Sequence, residues 1–271
     1  MLFGWLGNKM KTFIYDKKPN ISELWDDCIY NLIYDTEKYV SEIEYLFKDL
    51  GINKKSKIID VSVGSGFPVL ELTKKGYFID CMDISEDAIK VFDKKAKKFG
   101  VKLKCKKLSW LEMPKYYKKE NYDFLFCRGN SFIYASGGWD SEVKLDRKIA
   151  LENYEKTLKI FYDSMKPGGW FYIDKFKDNE KNCKELVGQV KIKNKLYDWY
   201  LYRNTIEKIK KREAKMLLVD KSGEEIPLVD FTTYLLTFKE LIQLMKKVGF
   251  KDIKKVNFKS EVDFDILIAK K

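Results

Sequence analysis

The chain of 271 residues contains no histidine. That single absence removes the side chain best suited to proton transfer near neutral pH and the commonest zinc ligand. Cysteine is sparse: Cys28, Cys81, Cys105, Cys127 and Cys183 are scattered, with no Cys-x-x-Cys pair and no metal-ligand spacing. Three of them fall in apolar strand-like runs, which reads as reduced core thiols in a cytosolic protein and argues against a metal site. No apolar run approaches the roughly 20 residues that a membrane span needs. Met1 to Met10 is mildly apolar, but Gly4, Gly7 and Asn8 interrupt it too soon for a signal peptide. Internal repeats, low-complexity segments and Pro/Gly/Ser-rich linkers are all missing, so one domain with an elaboration is expected.

Charge is plentiful, with 53 Lys and Arg against 41 Asp and Glu, a formal net charge of +12. A balance of that sign raises a nucleic-acid partner. The lysines, however, come in small clusters such as Lys94-Lys95 and Lys97-Lys98 that alternate with acids, the pattern of a solvated surface.

Apolar spacing predicts helices over Ile21 to Tyr34 and Thr36 to Leu50, the second stopped by Gly51. A strand, Lys57 to Val61, ends in a turn of small residues, and a helix starts at Phe67. Tyr77 to Met82 is a second strand, terminating at Asp83. Ser85 caps a helix running to Phe99, and Gly100 ends it. Val101 to Lys107 is a third strand and Tyr122 to Cys127 a fourth, near-continuous and apolar like a buried parallel strand. After a loop, Arg128 to Asp140, a long helix spans Val143 to Met165. Pro167-Gly168-Gly169 then introduces a fifth strand, Trp170 to Asp174. Strict strand–helix alternation signals a doubly wound sheet with its ligand at the carboxyl ends of the strands. Beyond Asp174 the pattern changes. Leu196 to Val219 and Ile226 to Thr237 alternate like antiparallel strands, followed by a helix, Thr237 to Val248, and a hairpin of Lys251 to Phe258 with Asp263 to Ala269.

The turn Ile58 to Gly66 reads as a nucleotide-type site, because small residues let the backbone approach a ligand where helix N–H groups are free. Gly64-x-Gly66 begins a dinucleotide fingerprint, but Val69 stands where that fold wants Gly or Ala, and the Gly-Lys-Ser/Thr of a P-loop is missing. Instead there are two acids, Asp60 at the end of the first strand and Asp83 at the end of the second, where a carboxylate can accept ribose hydroxyls. With no basic residue in the loop, a nucleoside without phosphates suits the site, especially a cationic one.

Asp60-x-Ser62-x-Gly64-x-Gly66 with Asp83 downstream resembles the class I S-adenosylmethionine-dependent methyltransferases, as do Lys166-Pro167-Gly168-Gly169 and the segment Leu236 to Phe250. Ser62 replaces the usual glycine. Gly129-Asn130-Ser131-Phe132, Asp35-Thr36 and Ser109-Trp110 are similar to the glycine/sarcosine N-methyltransferase-like branch. The resemblance implies a Rossmann-like seven-stranded α/β sheet with an inserted antiparallel β element. Within a single domain it implies an N-terminal helical lid over residues 1–50 and a cofactor-binding core over 51–175. An insertion over 190–237 and a last helix with edge hairpin over 238–271 complete it. S-adenosylmethionine is the implied cofactor, S-adenosylhomocysteine the product, and no metal is called for.

By position, Asp60, Ser62, Gly64 and Gly66 form the donor loop, with Gly64 on the methionyl part, and Asp83 and Ile84 hold ribose and adenine. Ser109 and Trp110 flank the adenine, Cys127 and Arg128 lie under the sulfonium, and Asn130 faces the acceptor. Two departures stand out. The arginine that clamps the acceptor carboxylate in glycine methyltransferases falls at Phe176, with Lys175 as a point-charge substitute, and the arginine expected to hold the methionine carboxylate falls at Tyr39. If the acceptor needs a base, Tyr34, Asp140 and Lys175 are the candidates. The expected acceptor is a small polar, anionic metabolite, methylated on nitrogen or oxygen. The alternative is O-methylation of a sugar or a phosphorylated or nucleotide-activated precursor of surface polysaccharide. A nucleic-acid methyltransferase is disfavoured, because Cys127-Arg128-Gly129-Asn130 stands where base-amine methylation needs its Asn/Asp-Pro-Pro-aromatic motif. A non-catalytic scaffold is disfavoured by the intact donor motif. Gly137-Gly138-Trp139 reads as a lid tip or as a plain exposed loop, and the insertion as a lid or a dimer surface.

Overall fold

A computed structural model describes residues 11–137, 146–177, 182–261 and 264–271. Strand β1 (Thr12–Tyr15) precedes α1 (Ile21–Cys28), a wide π turn over Ile29–Ile33, and α2 (Thr36–Asp49). Then β2 (Ile58–Asp60), α3 (Val69–Lys74), β3 (Ile79–Asp83), α4 (Glu86–Phe99) and β4 (Lys106–Lys107) alternate. A short α5 (Met113–Tyr116), β5 (Tyr122–Cys127), α6 (Arg147–Ser164) and β6 (Met165–Phe176) follow. Four long strands come next: β7 (Cys183–Ile192), β8 (Lys195–Ile206), β9 (Lys211–Asp220) and β10 (Glu225–Tyr234). The described chain closes with α7 (Phe238–Val248), β11 (Lys251–Val256) and β12 (Phe264–Lys270).

Seven strands form one sheet in the order β11-β12-β6-β5-β2-β3-β4. β4, β3, β2, β5 and β6 are parallel, while β12 runs antiparallel to β6 and β11 antiparallel to β12. The strand order reverses between β3 and β5, on either side of β2, so the binding crevice of such a sheet opens at the carboxyl ends of β2 and β5. β5 shows why its sequence is apolar throughout. Phe124 and Phe126 pack with Phe47, Leu70 and Ile58 on one face, while Leu125 and Cys127 pack with Phe161, Tyr154 and Phe171 on the other. The helices are closed by the residues the sequence offers: Ser85 Oγ caps α4, Gly100 (φ +69°) ends it, and Thr237 with Glu240 forms a reciprocal cap on α7.

The second sheet has the order β1-β7-β8-β9-β10, with β1 parallel to β7 and the remaining pairs antiparallel. One end of its inner face packs Trp199, Leu201, Tyr197 and Val190 against Leu24 and Cys28 of α1. The other end meets the loop after β5 through Ile133, Ala214 and Phe231.

Several expected elements are revised. The first helix is α-helical only to Cys28, and the π turn then carries the chain to Tyr34, whose N–H donates to Ile29 O at 3.2 Å. The third strand shrinks to Lys106–Lys107, the only residues of that stretch that pair with β3. The run expected from Leu196 to Val219 is two strands, broken by a turn at Glu207–Ile209 and Lys210 (φ +51°). β7 was not expected because a register shift between Leu186 and Gly188 breaks its period of two, and β1 extends the insertion with a strand from the N-terminal segment. The antiparallel element therefore begins at Cys183 rather than near 190, and the N-terminal segment is not wholly helical.

Candidate active site

The glycine turn sits at the carboxyl end of β2, where Asp60 and Asp83 shape it with their carboxylates. Ser62 N–H donates to Asp60 Oδ1 at 2.9 Å, and Gly64 N–H donates to Asp83 Oδ2 at 2.8 Å. Asp83 Oδ1 also accepts from Ser85 N–H at 2.9 Å, which fixes the turn between β3 and α4. Gly64 (φ +57°) has nothing within 4 Å of where a Cβ would stand, so the space above it is open. Gly66 (φ +113°) differs: a Cβ there would lie 2.6 Å from Leu70 Cδ1 and 3.0 Å from Phe92 Cδ2. One glycine opens a seat and the other permits close packing. Helix α1 is strapped over the turn, since Ser65 Oγ donates to Asp26 at 2.6 Å and Lys95 of α4 pairs with the same oxygen at 2.6 Å.

The end of β5 is tied to this turn. Arg128 N–H donates to Ser62 Oγ at 3.0 Å, and Ser62 Oγ donates to Arg128 O at 3.3 Å. The serine that replaces the usual glycine therefore joins the two strand ends. The Arg128 side chain is 6% exposed and turns toward α2. Nη2 and Nε donate to Tyr39 Oη at 2.7 and 3.2 Å, and Nη1 donates to Phe67 O at 3.1 Å. Arginine stays protonated in proteins, yet this one forms no ion pair among the described residues. Asn130 (φ +58°) donates its N–H to Asp174 Oδ1 at 2.8 Å and accepts from Phe176 N–H at its Oδ1 at 3.2 Å. Its amide NH2 is left as a donor.

Two buried carboxylate oxygens, Asp60 Oδ2 and Asp174 Oδ2, have no hydrogen-bond partner. Burial pushes Asp60 up to about 7, with Arg128 and the Ser62 N–H opposing the rise. Burial also raises Asp174 and Asp83, opposed respectively by Arg128 and by backbone N–H groups. Unsatisfied buried carboxylates favour a cation close by.

The other expected residues stand in different settings. Tyr34 lies 4.9 Å from Tyr39, ring to ring, and donates to Glu261 Oε2 at 2.8 Å. Burial and Glu261 push its hydroxyl well above the ordinary tyrosine range, so it is poised as a hydrogen-bond donor and not as a base. Trp110 Nε1–H donates to Val61 O at 2.6 Å, and its ring packs edge-on against Phe161 at 5.7 Å. Ser109 is committed to a reciprocal cap with Glu112, its Oγ donating at 2.6 Å. Ile84 is 55% exposed beside Asp83, and Cys127 is buried. Lys175 Nζ donates to Phe176 O at 2.7 Å and stands 4.0 Å over the Phe238 ring. Asp140, Gly138 and Trp139 lie outside the described residues. Sequence reasoning gave no role to Asp26, Glu261, Arg203 or Arg212. For the arginines a signal was present, because Tyr197, Trp199, Leu201 and Arg203 share one face of an alternating strand.

A family model described as a methyltransferase domain matches residues 52–221, from the end of α2 through β9. The chain belongs to the S-adenosylmethionine-dependent methyltransferases. Among its relatives, a glycine/sarcosine N-methyltransferase of Aphanothece halophytica is 25% identical over 234 residues, 78% of this chain and 79% of that one. A carboxy-S-adenosyl-L-methionine synthase of Nautilia profundicola is 27% identical over 250 residues, 91% of this chain and 90% of that one. The fold matches that of an S-adenosylmethionine-dependent methyltransferase from Clostridium acetobutylicum with a TM-score of 0.68 at 14% identity, covering 92% and 96% of the two chains. In this methyltransferase no helix among the described residues is long and apolar enough to cross a membrane.

Proposed function

We propose that this methyltransferase acts on a small polar acceptor that carries an anionic group, with an amine nitrogen as the atom methylated. The observation that carries this reading is the arc at the carboxyl ends of β2, β3, β5 and β6. It holds Asp83 and the open seat at Gly64, then Arg128 with the partnerless Asp60 and Asp174 oxygens, then the free amide of Asn130. Asp83 and the exposed Ile84 serve the adenosine end, with Ser109 and Trp110 as the wall of that side. Asp60 faces the cationic methionyl end, and Arg128 takes the methionyl carboxylate on the N–H groups that Tyr39 and Phe67 leave free. Bound S-adenosylmethionine supplies an electrophilic methyl carbon on a sulfonium. Cys127 closes the floor beneath it and Asn130 NH2 orients the acceptor, so the protein's work is alignment, which can supply effective molarities on the order of 10⁵–10⁸ M. α1, held to Ser65 through Asp26, acts as the lid.

The state of Tyr34, one of the three candidate bases, favours an amine acceptor. A neutral amine attacks without deprotonation, whereas a hydroxyl needs a base, and Tyr34 is held protonated by Glu261. The 25%-identical glycine/sarcosine N-methyltransferase supports an amino-acid-like amine. Phe176 supports a second reading, a sugar or phosphorylated precursor, because a carboxylate fork is missing from that position. Incubation with methyl-labelled S-adenosylmethionine and a panel of amines and hydroxyl compounds tests the choice. Label on anionic amines supports the reading, and label only on hydroxyl acceptors overturns it.

A further inference from the structure

The formal charge of +12 is not spread evenly over the molecule. Residues 94–119 hold eleven lysines and one acid, Glu112, a net +10 of the whole chain's +12. The interleaving of lysines with acids expected from the sequence does not hold for this stretch. In the fold it forms the second half of α4, the edge of the seven-stranded sheet at β4, and α5 with the turn after it. Lys95 pairs with Asp26 and Lys107 with Glu86. The other nine lysines are exposed and form no ion pair among the described residues.

These pieces join into one face. Lys94, Lys97 and Lys98 lie at i, i+3 and i+4 on α4, so they share one side of the helix. Along the edge, exposed Lys102, Lys104 and Lys106 alternate with Val101, Leu103 and Cys105, which pack against the core. Between helix and edge lies an open cleft of about 630 Å³, lined by Lys97, Lys102 and Lys104, with Asp93 as its one acid. Lys106 Nζ stands 4.5 Å from the centre of the Tyr117 ring and 6.0 Å from that of Tyr116, which is 59% exposed. The edge thus runs on into the end of α5, where Lys115, Lys118 and Lys119 follow.

Like charges so placed repel one another, and self-repulsion weakens a fold. Lysines that only guard a sheet edge against pairing would stand on the edge alone; these continue onto α4 and α5. A bound polyanion offsets the repulsion. The cleft is concave, which suits a chain lying in it and not a flat bilayer. Exposed Tyr116 beside it offers a ring face on which a base can stack. No arginine stands in the stretch, so the fork that reads guanine edges is missing and point charges face the backbone.

We infer that α4, the β4 edge and α5 form a docking surface for single-stranded nucleic acid, held through its phosphates. β2 and β3 separate this edge from β5 and Asn130. The strand is therefore a docking partner and not the methyl acceptor.

Fluorescence anisotropy on the full chain tests this with a labelled oligouridylate of about 16 nucleotides and a duplex of the same length. Vesicles of phosphatidylglycerol and phosphatidylcholine, read by sedimentation, are the third probe. Engagement of four phosphates gives a log–log salt slope of about −2.8, so oligouridylate affinity should fall about fiftyfold or more between about 50 and 200 mM salt. The variant Lys102→Gln/Lys104→Gln/Lys106→Gln should bind tenfold or more weakly with a slope shallower by about 2. Its S-adenosylhomocysteine affinity should stay within twofold of wild type and its melting temperature should not fall. Removing the same charge from exposed positions elsewhere, by Lys191→Gln/Lys193→Gln/Lys208→Gln, should change oligouridylate affinity less than twofold. Tyr116→Ala should lower it about fivefold at an unchanged slope. No binding at the lower salt, a flat salt response, or equal losses in the two triple variants overturns the inference, the last because net charge alone would then be acting. So does vesicle binding without oligouridylate binding, which would make this face a bilayer surface, or tighter binding of the duplex than of the single strand.

Discussion

Gly64 and Gly66 stand two residues apart in one turn, yet alanine should fail at each for a different reason. At Gly64 (φ +57°) a methyl group meets nothing within 4 Å, so the cost to the fold is the left-handed backbone alone, about 1–2 kcal/mol for a residue with a Cβ. At Gly66 (φ +113°) the backbone is worse for alanine, and the methyl lies 2.6 Å from Leu70 Cδ1 and 2.9 Å from Leu70 Cγ. Backbone strain of about 1–3 kcal/mol adds to overpacking of about 1–3 kcal/mol, so Gly66→Ala should cost about 2–6 kcal/mol. Urea denaturation of the free protein reads these values as shifts in midpoint at constant slope. Binding should rank the other way per unit of stability lost. The Gly64 methyl projects into the seat proposed for the donor, so S-adenosylhomocysteine affinity should fall about a hundredfold, equivalent to about 2.7 kcal/mol, in a protein that is still folded. Gly66→Ala, measured below its unfolding midpoint, should lose far less affinity. A Gly64→Ala protein that binds S-adenosylhomocysteine like the wild type would refute the reasoning, because the open space at Gly64 would then have no occupant.

Three further substitutions address the charges and the tyrosine. Asp60 is raised by burial from 3.8 to about 7. Its contribution to stability is therefore full below pH 4 and lost as pH rises through 7, in all about 4 kcal/mol at 1.36 kcal/mol per unit. The stability gained by Asp60→Asn over wild type should grow across that window, and S-adenosylmethionine affinity of the wild type should rise from pH 6 to pH 8 as the carboxylate ionises. Arg128→Met should weaken S-adenosylhomocysteine binding tenfold or more but leave 5′-methylthioadenosine, which lacks the carboxylate, within about threefold by calorimetry; equal losses for both ligands would remove the assigned role. Tyr34→Phe deletes a hydrogen bond to Glu261 worth about 1 kcal/mol, and steady-state assays should show kcat reduced less than tenfold with an unchanged pH profile, whereas loss of one limb of that profile would make Tyr34 the base.

The parts of this molecule that were legible in its sequence are those where one local rule acts alone. Tyr122 to Cys127 is a strand at both of its expected ends, because burial on two faces leaves an unbroken apolar run. Ser85 and Gly100 frame α4 because cap and stop are chemical requirements of a helix end. The glycine turn after β2 was legible as a turn, and Gly64 N–H donates to the Asp83 carboxylate across it. Tertiary context decided the rest. Val101 to Lys107 has strand-like residues, but the sheet accepts only its last two. Cys183 to Ile192 was hidden by two consecutive apolar residues, Leu186 and Val187, at a bulge. The bond of Ser109 to Glu112 and the place of Lys175 over the Phe238 ring are likewise set by neighbours that the local sequence does not show. Arg203 and Arg212 read as surface charge in a lysine-rich chain, and only the register of three strands brings them beside Phe176.

The account rests on the carboxyl ends of β2 and β3 being the donor site. Calorimetric titration of S-adenosylhomocysteine into the wild type and Asp83→Ala tests this most directly. Asp83 accepts from Gly64 and Ser85 N–H groups at 2.8 and 2.9 Å and is assigned the ribose hydroxyls as well, so its removal should weaken binding about a hundredfold or more in a protein that remains folded. Measurable binding by the wild type and its loss in Asp83→Ala is the predicted result. No binding by the wild type, or the same affinity in both proteins, would contradict the account.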